Sequence, residues 1–186
     1  MTPWTQTPQN GAQQISAIAA TVPVIETERL TLRLPRLTDW DVLEPIWTTD
    51  RGIHIGGPLE PKDAWLDFNQ LVAGWVLRGH GGLTICDKDG AVLGMVLLGH
   101  EYGDPQPELG WLLIDTAEGH GYATEAARAL LPVCRAIYGT GFVSYIADDN
   151  TASIRLAERL GARKTGTHPL GAHVGIYAYS EEGDAG

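Results

Sequence analysis

Positive charge is scarce in this chain. Of 186 residues, 13 are Lys or Arg against 23 Asp or Glu, a formal net charge of −10. General nucleic-acid binders and proteins held on anionic membranes carry the opposite sign, so both classes are excluded as expectations. Any anionic ligand has to be gripped by local features. Cysteine is nearly missing, with two residues, Cys86 and Cys134, far apart in sequence. That spacing makes neither a disulfide framework nor a zinc pattern, and it fits two half-buried thiols in a reducing compartment. No Lys or Arg precedes Arg29, so the basic start of a secretory leader is lacking. The apolar stretch from Ile15 to Ile25 is broken by Pro23 and falls short of the roughly 20 residues a bilayer-spanning helix needs. The expectation is a cytoplasmic protein with no membrane or nucleic-acid partner and no metal.

What is present is a globular composition, 44% hydrophobic and 19% charged, in a chain long enough for one domain with a real core. Residues 1–22, rich in Thr, Gln, Pro and Ala, read as a loose arm, and 23–186 as a single domain. Period-two alternation predicts a strand in Glu28–Pro35. Thr38–Asp50 reads as a helix capped by Thr38, with Asp39 and Asp41 in its first turn. Lys62–Leu77 reads as a helix whose aromatic stripe serves either the core or a substrate wall. Gly82–Cys86 and Ala91–Leu98 form a hairpin about Asp87–Gly90, and Glu108–Asp115 is a buried strand. A helix follows over Tyr122–Tyr138, which Pro132 should kink or end. Next come a strand over Phe142–Ile146, a helix from the Asn150 cap to Leu160, and strands over Arg163–Gly166 and His173–Tyr179. The order is β-α-α-β-β-β-α-β-α-β-β, with no internal repeat.

The most pointed local feature is D-T-A-E-G-H-G-Y-A-T-E-A, Asp115 to Ala126. A buried strand hands over to a helix through a Gly-x-Gly turn. The first amides of a helix have no partner within it, and the macrodipole adds roughly half a positive charge there. Glycine lets a phosphate approach the backbone closely. The turn Gly119–Thr124 is therefore either a cradle for a phosphate or diphosphate, or a tight turn without a ligand. It is not a P-loop, because the spaced Lys is absent, and it is not a dinucleotide fingerprint, because Thr124 stands at the third glycine position.

The longer string E-L-G-W-L-L-I-D-T-A-E-G-H-G-Y-A-T-E-A resembles the acyl-CoA motif of the GNAT superfamily of N-acetyltransferases, particularly its ribosomal-protein-acetyltransferase-like (RimJ/RimL-like) branch. Asp149–Gly161, D-N-T-A-S-I-R-L-A-E-R-L-G, is similar to the second motif of that branch. Ile25–Pro35 resembles its first strand and His173–Ser180 its last. The likeness runs from about Pro23 to Ser180. It implies an α/β (α+β) fold with a mixed, mostly antiparallel central sheet, splayed parallel central strands and helices on both faces. It implies acetyl-CoA as co-substrate. Amides of Leu112, Leu113 and Ile114 would pair with the pantetheine arm, and that of Leu113 would polarise the thioester carbonyl. Amides of Gly119, His120, Gly121, Tyr122, Ala123 and Thr124 would hold the diphosphate. Asn150 would touch pantetheine, cap its own helix, or do both. Glu108 is the candidate base, ahead of Asp104, Glu101 and His100. Arg155, Arg159, Arg163 and Lys164 either reach the CoA 3′-phosphate or form a solvated face.

Departures from the family pattern are Thr116, where many members carry Arg or Gln, and Ala162, where Phe is usual. No tyrosine lies between Asn150 and Arg163, so Tyr145, Tyr177 and Tyr179 stay open as the acid. The implied activity is acetyl transfer to a primary amine by direct attack in a ternary complex. The acceptor could be a protein N-terminus, an amino acid or another small amine, and the acidic balance tilts toward a cationic one. An acyl-CoA sensor of the same fold is the alternative. The apolar arm offers a face for a homodimer.

Overall fold

The computed structural model describes residues 11–169, 171 and 173–180. The first ten residues of the expected arm lie outside the described residues. Of the rest, Ala12–Ala19 forms a helix, α1, with no buried side chain, and Val22 joins the core. The strands are β1 (Ile25–Glu26), β2 (Leu30–Arg33), β3 (Gly82–Asp87), β4 (Val92–Gly99), β5 (Glu108–Leu113), β6 (Val143–Ala147), β7 (Ala162–Thr167) and β8 (Val174–Tyr179). Helices α2 (Trp40–Leu43), α3 (Pro45–Thr48) and α4 (Pro61–Arg78) lie between β2 and β3. Helix α5 (Tyr122–Tyr138) joins β5 to β6, and α6 (Thr151–Arg159) joins β6 to β7. The strands form one sheet in the order β1-β2-β3-β4-β5-β6-β8-β7. Every neighbouring pair is antiparallel except β5 and β6. Among the described residues, no helix is long and apolar enough to cross a membrane.

Strand β4 shows why its apolar run is continuous. Val96 and Leu98 point into one core layer, with Leu130 and Cys134 of α5. Met95 and Leu97 point into the other, with Trp47 of α3 and Phe68 and Leu71 of α4. A strand covered on both faces has no polar side to alternate. The aromatic stripe of α4 serves that second layer: Trp40, Trp47, Trp65 and Phe68 pack with ring centroids 5.2 to 6.4 Å apart.

Two local expectations are corrected. The single helix over 38–50 is instead a 3₁₀ turn over Leu37–Asp39 followed by α2 and α3, which Pro45 separates. Thr38 is not its cap. Asp39 turns inward rather than serving the helix dipole, and it is 3% exposed. Its carboxylate accepts from both terminal nitrogens of Arg33 (2.7 and 2.8 Å), the Arg36 amide (2.9 Å) and the Thr84 hydroxyl (2.8 Å). Helix α5, in turn, does not end at Pro132. The ring removes one amide donor, yet Leu130, Leu131 and Cys134 bury on one face and carry the helix across it.

Burial alone would raise the Asp39 pKa, but the Arg33 pair, the Arg36 amide and Thr84 outweigh it and hold it below the ordinary value. The unfolded chain therefore binds more protons as pH falls, and this part of the stability is full above the ordinary carboxylate pKa and lost on acidifying below it. Asp39→Ala leaves Arg33 buried without its partner and should cost about 3–5 kcal/mol in urea unfolding at pH 7. The deficit should shrink toward pH 3; a deficit independent of pH would contradict this role.

Candidate active site

The Gly-x-Gly turn is built for close approach. Gly119 and Gly121 have φ of +76° and +80°, a left-handed conformation that side-chain-bearing residues rarely adopt. Gly121 is the N-cap of α5 and offers no side chain to satisfy the first-turn amides. Residues 118–121 are exposed. Arg29 braces the turn from β2's approach. It pairs with Glu125 at 2.6 Å, donates to the His120 carbonyl at 3.0 Å, and lies 4.7 Å over the Tyr122 ring. Thr27 and the Arg29 amide also donate to Glu125. The His120 carbonyl is thus held by Arg29, and the His120 ring by the Glu118 carbonyl at 2.7 Å.

Strands β5 and β6 run parallel but share a single bridge, Glu108 with Val143. The Val143 amide bonds to the Pro107 carbonyl at 2.9 Å. Beyond that point the strands part. On the other side, β5 is laddered to β4, and the Ile114 amide donates to the Leu93 carbonyl at 3.0 Å. Antiparallel ladders alternate, so Leu112 also turns its backbone toward β4, while Trp111 and Leu113 turn theirs toward β6. This divides the expected trio: Leu113 faces the gap, Leu112 and Ile114 do not, and Trp111 takes their place. The β4–β5 register, a tertiary feature, decides this. The Leu113 carbonyl meets Arg51, whose guanidinium donates to it at 2.7 Å and to Asp115 at 3.0 Å, and also bonds Glu118. Sequence reasoning missed Arg51, which comes from the 3₁₀ segment Asp50–Ile55 and carries no motif of its own.

A cavity of about 650 Å³ opens from this gap toward α4. Glu108, Trp111, Ser144, Tyr145, Asn150 and Ser153 line its strand side; Asp63, Leu66 and Asp67 of α4 line the opposite wall. The Gly119–Gly121 turn lies outside it, beyond the far end of β5. Glu108 reaches across the parting strands, its Oε1 accepting from the Tyr145 amide at 3.4 Å. Desolvation, then the nearby charge of Glu101, pushes its pKa up to about 8. Desolvation, Asp67 and Asp104 push Glu101 to about 7. Burial raises Asp67 against the opposing bond from the Trp47 indole (2.6 Å). Asn150 caps α6, its Oδ1 accepting from the Ser153 amide at 3.1 Å, and lines the cavity as well. Both of its expected uses are therefore sterically open.

The three tyrosines separate. Tyr145 lines the cavity, its hydroxyl bonded to the Gln106 backbone at 3.0 Å and its ring 4.6 Å from that of His168. Tyr179 is buried against Ser144, and its pKa is raised by burial. Tyr177 is buried in the core. Cys86 and Cys134 are buried free thiols away from the cavity, and burial pushes Cys134 to about 12. His100 bonds the Asp104 carbonyl at 3.1 Å, and Asp104 accepts from the Glu101 amide. Arg155, Arg159, Arg163 and Lys164 are exposed, with Lys164 paired to Asp148 at 2.6 Å.

A parted strand pair, a shielded carboxylate where that pair still joins, and a glycine turn into a helix beyond the far end of β5 are the features that the acyl-CoA transferase resemblance implies. Residues 29–163 match the family model described as the acetyltransferase (GNAT) domain. The chain belongs to that family, whose members transfer acetyl from acetyl-CoA. It is similar to an acetyltransferase from Agrobacterium tumefaciens, at 33% identity over 86% of this chain and 95% of that one, TM-score 0.81. The fold is shared with RimL, a ribosomal-protein α-N-acetyltransferase (18% identity, 86% and 95% covered, TM-score 0.67). It is shared also with MccE, a microcin self-immunity acetyltransferase solved with acetyl-CoA and AMP (19%, 83% and 94% covered, TM-score 0.63).

The raised Glu108 pKa has a thermodynamic signature. The folded chain holds a proton there that the unfolded chain has released, so this contribution to stability is full below the ordinary value of 4.5 and is lost as pH rises through about 8. Glu108→Gln removes the titration. Its Tm relative to wild type should therefore climb between pH 5 and pH 9; a constant difference would refute the shift.

Proposed function

We propose that residues 23–186 form one N-acetyltransferase domain that moves acetyl from acetyl-CoA to a primary amine by direct attack in a ternary complex. The observation that carries this reading is the position of Glu108, a desolvated carboxylate standing in the gap between β5 and β6. Gap-facing backbone on Trp111 and Leu113 suits the strand-like pantetheine arm, and the Leu113 amide suits the thioester oxygen as charge develops there. The amides of Gly119 to Thr124 suit the diphosphate, with Arg29 bracing the turn. Asn150 keeps its amide nitrogen for pantetheine while its oxygen caps α6.

Glu108 is the base. A group titrating near 8 is well matched to taking a proton from an ammonium close to neutral pH. Cavity lining supports Tyr145 over Tyr177 and Tyr179 as the acid for the departing sulfur, and its hydroxyl would first have to leave the Gln106 carbonyl. Buried Cys86 and Cys134 offer no nucleophile there, which favours direct attack over an acetyl-enzyme. The motif likeness supports the ribosomal-protein-acetyltransferase-like branch, and no acceptor is carried over from it.

Acetyl-CoA at 100 times its Kd should stabilise the native chain by about 2.7 kcal/mol, seen as a raised Tm. With an acceptor in hand, Glu108→Gln should lower kcat by roughly 10²–10⁴ while the Tm response to acetyl-CoA persists. Wild-type kcat/KM should rise with pH to a midpoint near 8. An unchanged rate in the variant would remove Glu108 from the chemistry.

A further inference from the structure

The cavity has one sign of charge. Five carboxylates line it, from Asp63, Asp67, Glu101, Asp104 and Glu108, and none of the described lining residues is Lys or Arg. The described lining sets no Lys or Arg against them, and Glu108 keeps its proton up to about pH 8 until a cation draws it off. Asp67 receives an indole N–H, Asp104 faces the His168 ring at 3.6 Å, and Glu108 has one described donor, the distant Tyr145 amide. His54 pairs outward with Asp149 at 3.5 Å. The carboxylates also fall into two groups. Glu108 stands at the strand gap. Asp63 and Asp67 stand one helical turn apart on α4, across the cavity. Between and around them the lining is alkyl and aromatic, from Ile55, Leu59, Leu66 and Trp47.

We infer that the acceptor is a small diamine: one amine beside Glu108, an alkyl chain along the apolar lining, and a second ammonium at Asp63 and Asp67. This rests on the acetyl-transfer reading above. A monoamine leaves the α4 carboxylates unmatched. An ω-amino acid presents its own carboxylate to them, and that like-charge contact weakens its binding. In the reaction, the neutral amine nitrogen bonds to the thioester carbonyl carbon, the C–S bond breaks and its electron pair leaves on sulfur. Overall, the ammonium and acetyl-CoA give the amide, the CoA thiol and one proton. The product carries one positive charge fewer than the substrate, so the cavity holds it less tightly and releases it. Desolvation first, and mutual repulsion second, raise Glu101 and Glu108, and the substrate's charge relieves the repulsion.

The test compares three probes of equal length at saturating acetyl-CoA: a five-carbon α,ω-diamine, the five-carbon monoamine and the five-carbon ω-amino acid. Thiol release gives kcat/KM for each. The diamine should exceed the monoamine at least tenfold, with the amino acid slowest. Added salt should lower the diamine value more than the monoamine value, because the second ion pair is screened. In D63N/D67N the diamine-to-monoamine ratio should fall toward one, in protein whose Tm still responds to acetyl-CoA. Equal rates for diamine and monoamine, or a faster amino acid or neutral peptide amide, would overturn the diamine while leaving acetyl transfer standing. No turnover of any amine, with acetyl-CoA still raising the Tm, would overturn both. The salt comparison needs no variant, so a misfolded double mutant leaves the inference open to refutation.

Discussion

The site depends on a ladder that stops. After one bridge, β5 and β6 part, and the backbone of Trp111 and Leu113 is left facing a gap instead of a strand. Main-chain donors and acceptors need partners, and an interrupted sheet is a standing demand for something extended to fill it. Everything around the gap can be understood as managing that demand. The Ser144 hydroxyl bonds the Leu109 carbonyl, the Glu108 carboxylate meets the Tyr145 amide, and Arg51 meets the Leu113 carbonyl at the far end. Side chains stand where a neighbouring strand would, and a strand-like ligand arm can replace them.

The gap holds its shape because both faces of the sheet are packed. Helix α5 presses Leu130 and Cys134 onto one face, while Trp47, Phe68 and Leu71 fill the other. The same α4 that supplies Phe68 and Leu71 to the core turns Asp63, Leu66 and Asp67 toward the cavity. One amphipathic helix thus fixes the floor of the core and the wall of the acceptor space. The Trp47 indole belongs to both: its ring is buried, and its N–H holds Asp67. Packing and electrostatics are joined there, since the buried indole fixes the Asp67 carboxylate.

Arg29 and Arg51 divide the work of holding the Gly-x-Gly turn. Arg29 ties the start of α5 to the β2 approach through Glu125 and the His120 carbonyl. Arg51 ties the end of β5 to Asp115 and Glu118 on the way into that turn. Both spend their charge on protein oxygens in this structure. The turn itself relies on amides and the helix dipole, which suits a chain with so few basic residues.

The sequence alone determined the order of elements from α4 onward, the glycine turn, the helix over Tyr122–Tyr138 and the family, because these are written in short-range periodicity, in glycine's access to positive φ, and in a contiguous motif. It placed Glu108 and Leu113 on the strand beside the site. It could not say which amides of that strand are free, since this depends on β4 claiming Leu112 and Ile114 by register. Nor could it find Arg51, which meets Leu113 and Glu118 only once distant segments pack, or foresee Asp39 turned inward onto Arg33, because its burial depends on β3 bringing Thr84 against it. The acidic cavity is the clearest case. Its five carboxylates come from α4, a loop and β5, unremarkable as letters in a chain of net negative charge. Only the tertiary structure puts them around one volume, where burial and mutual repulsion raise Glu101 and Glu108.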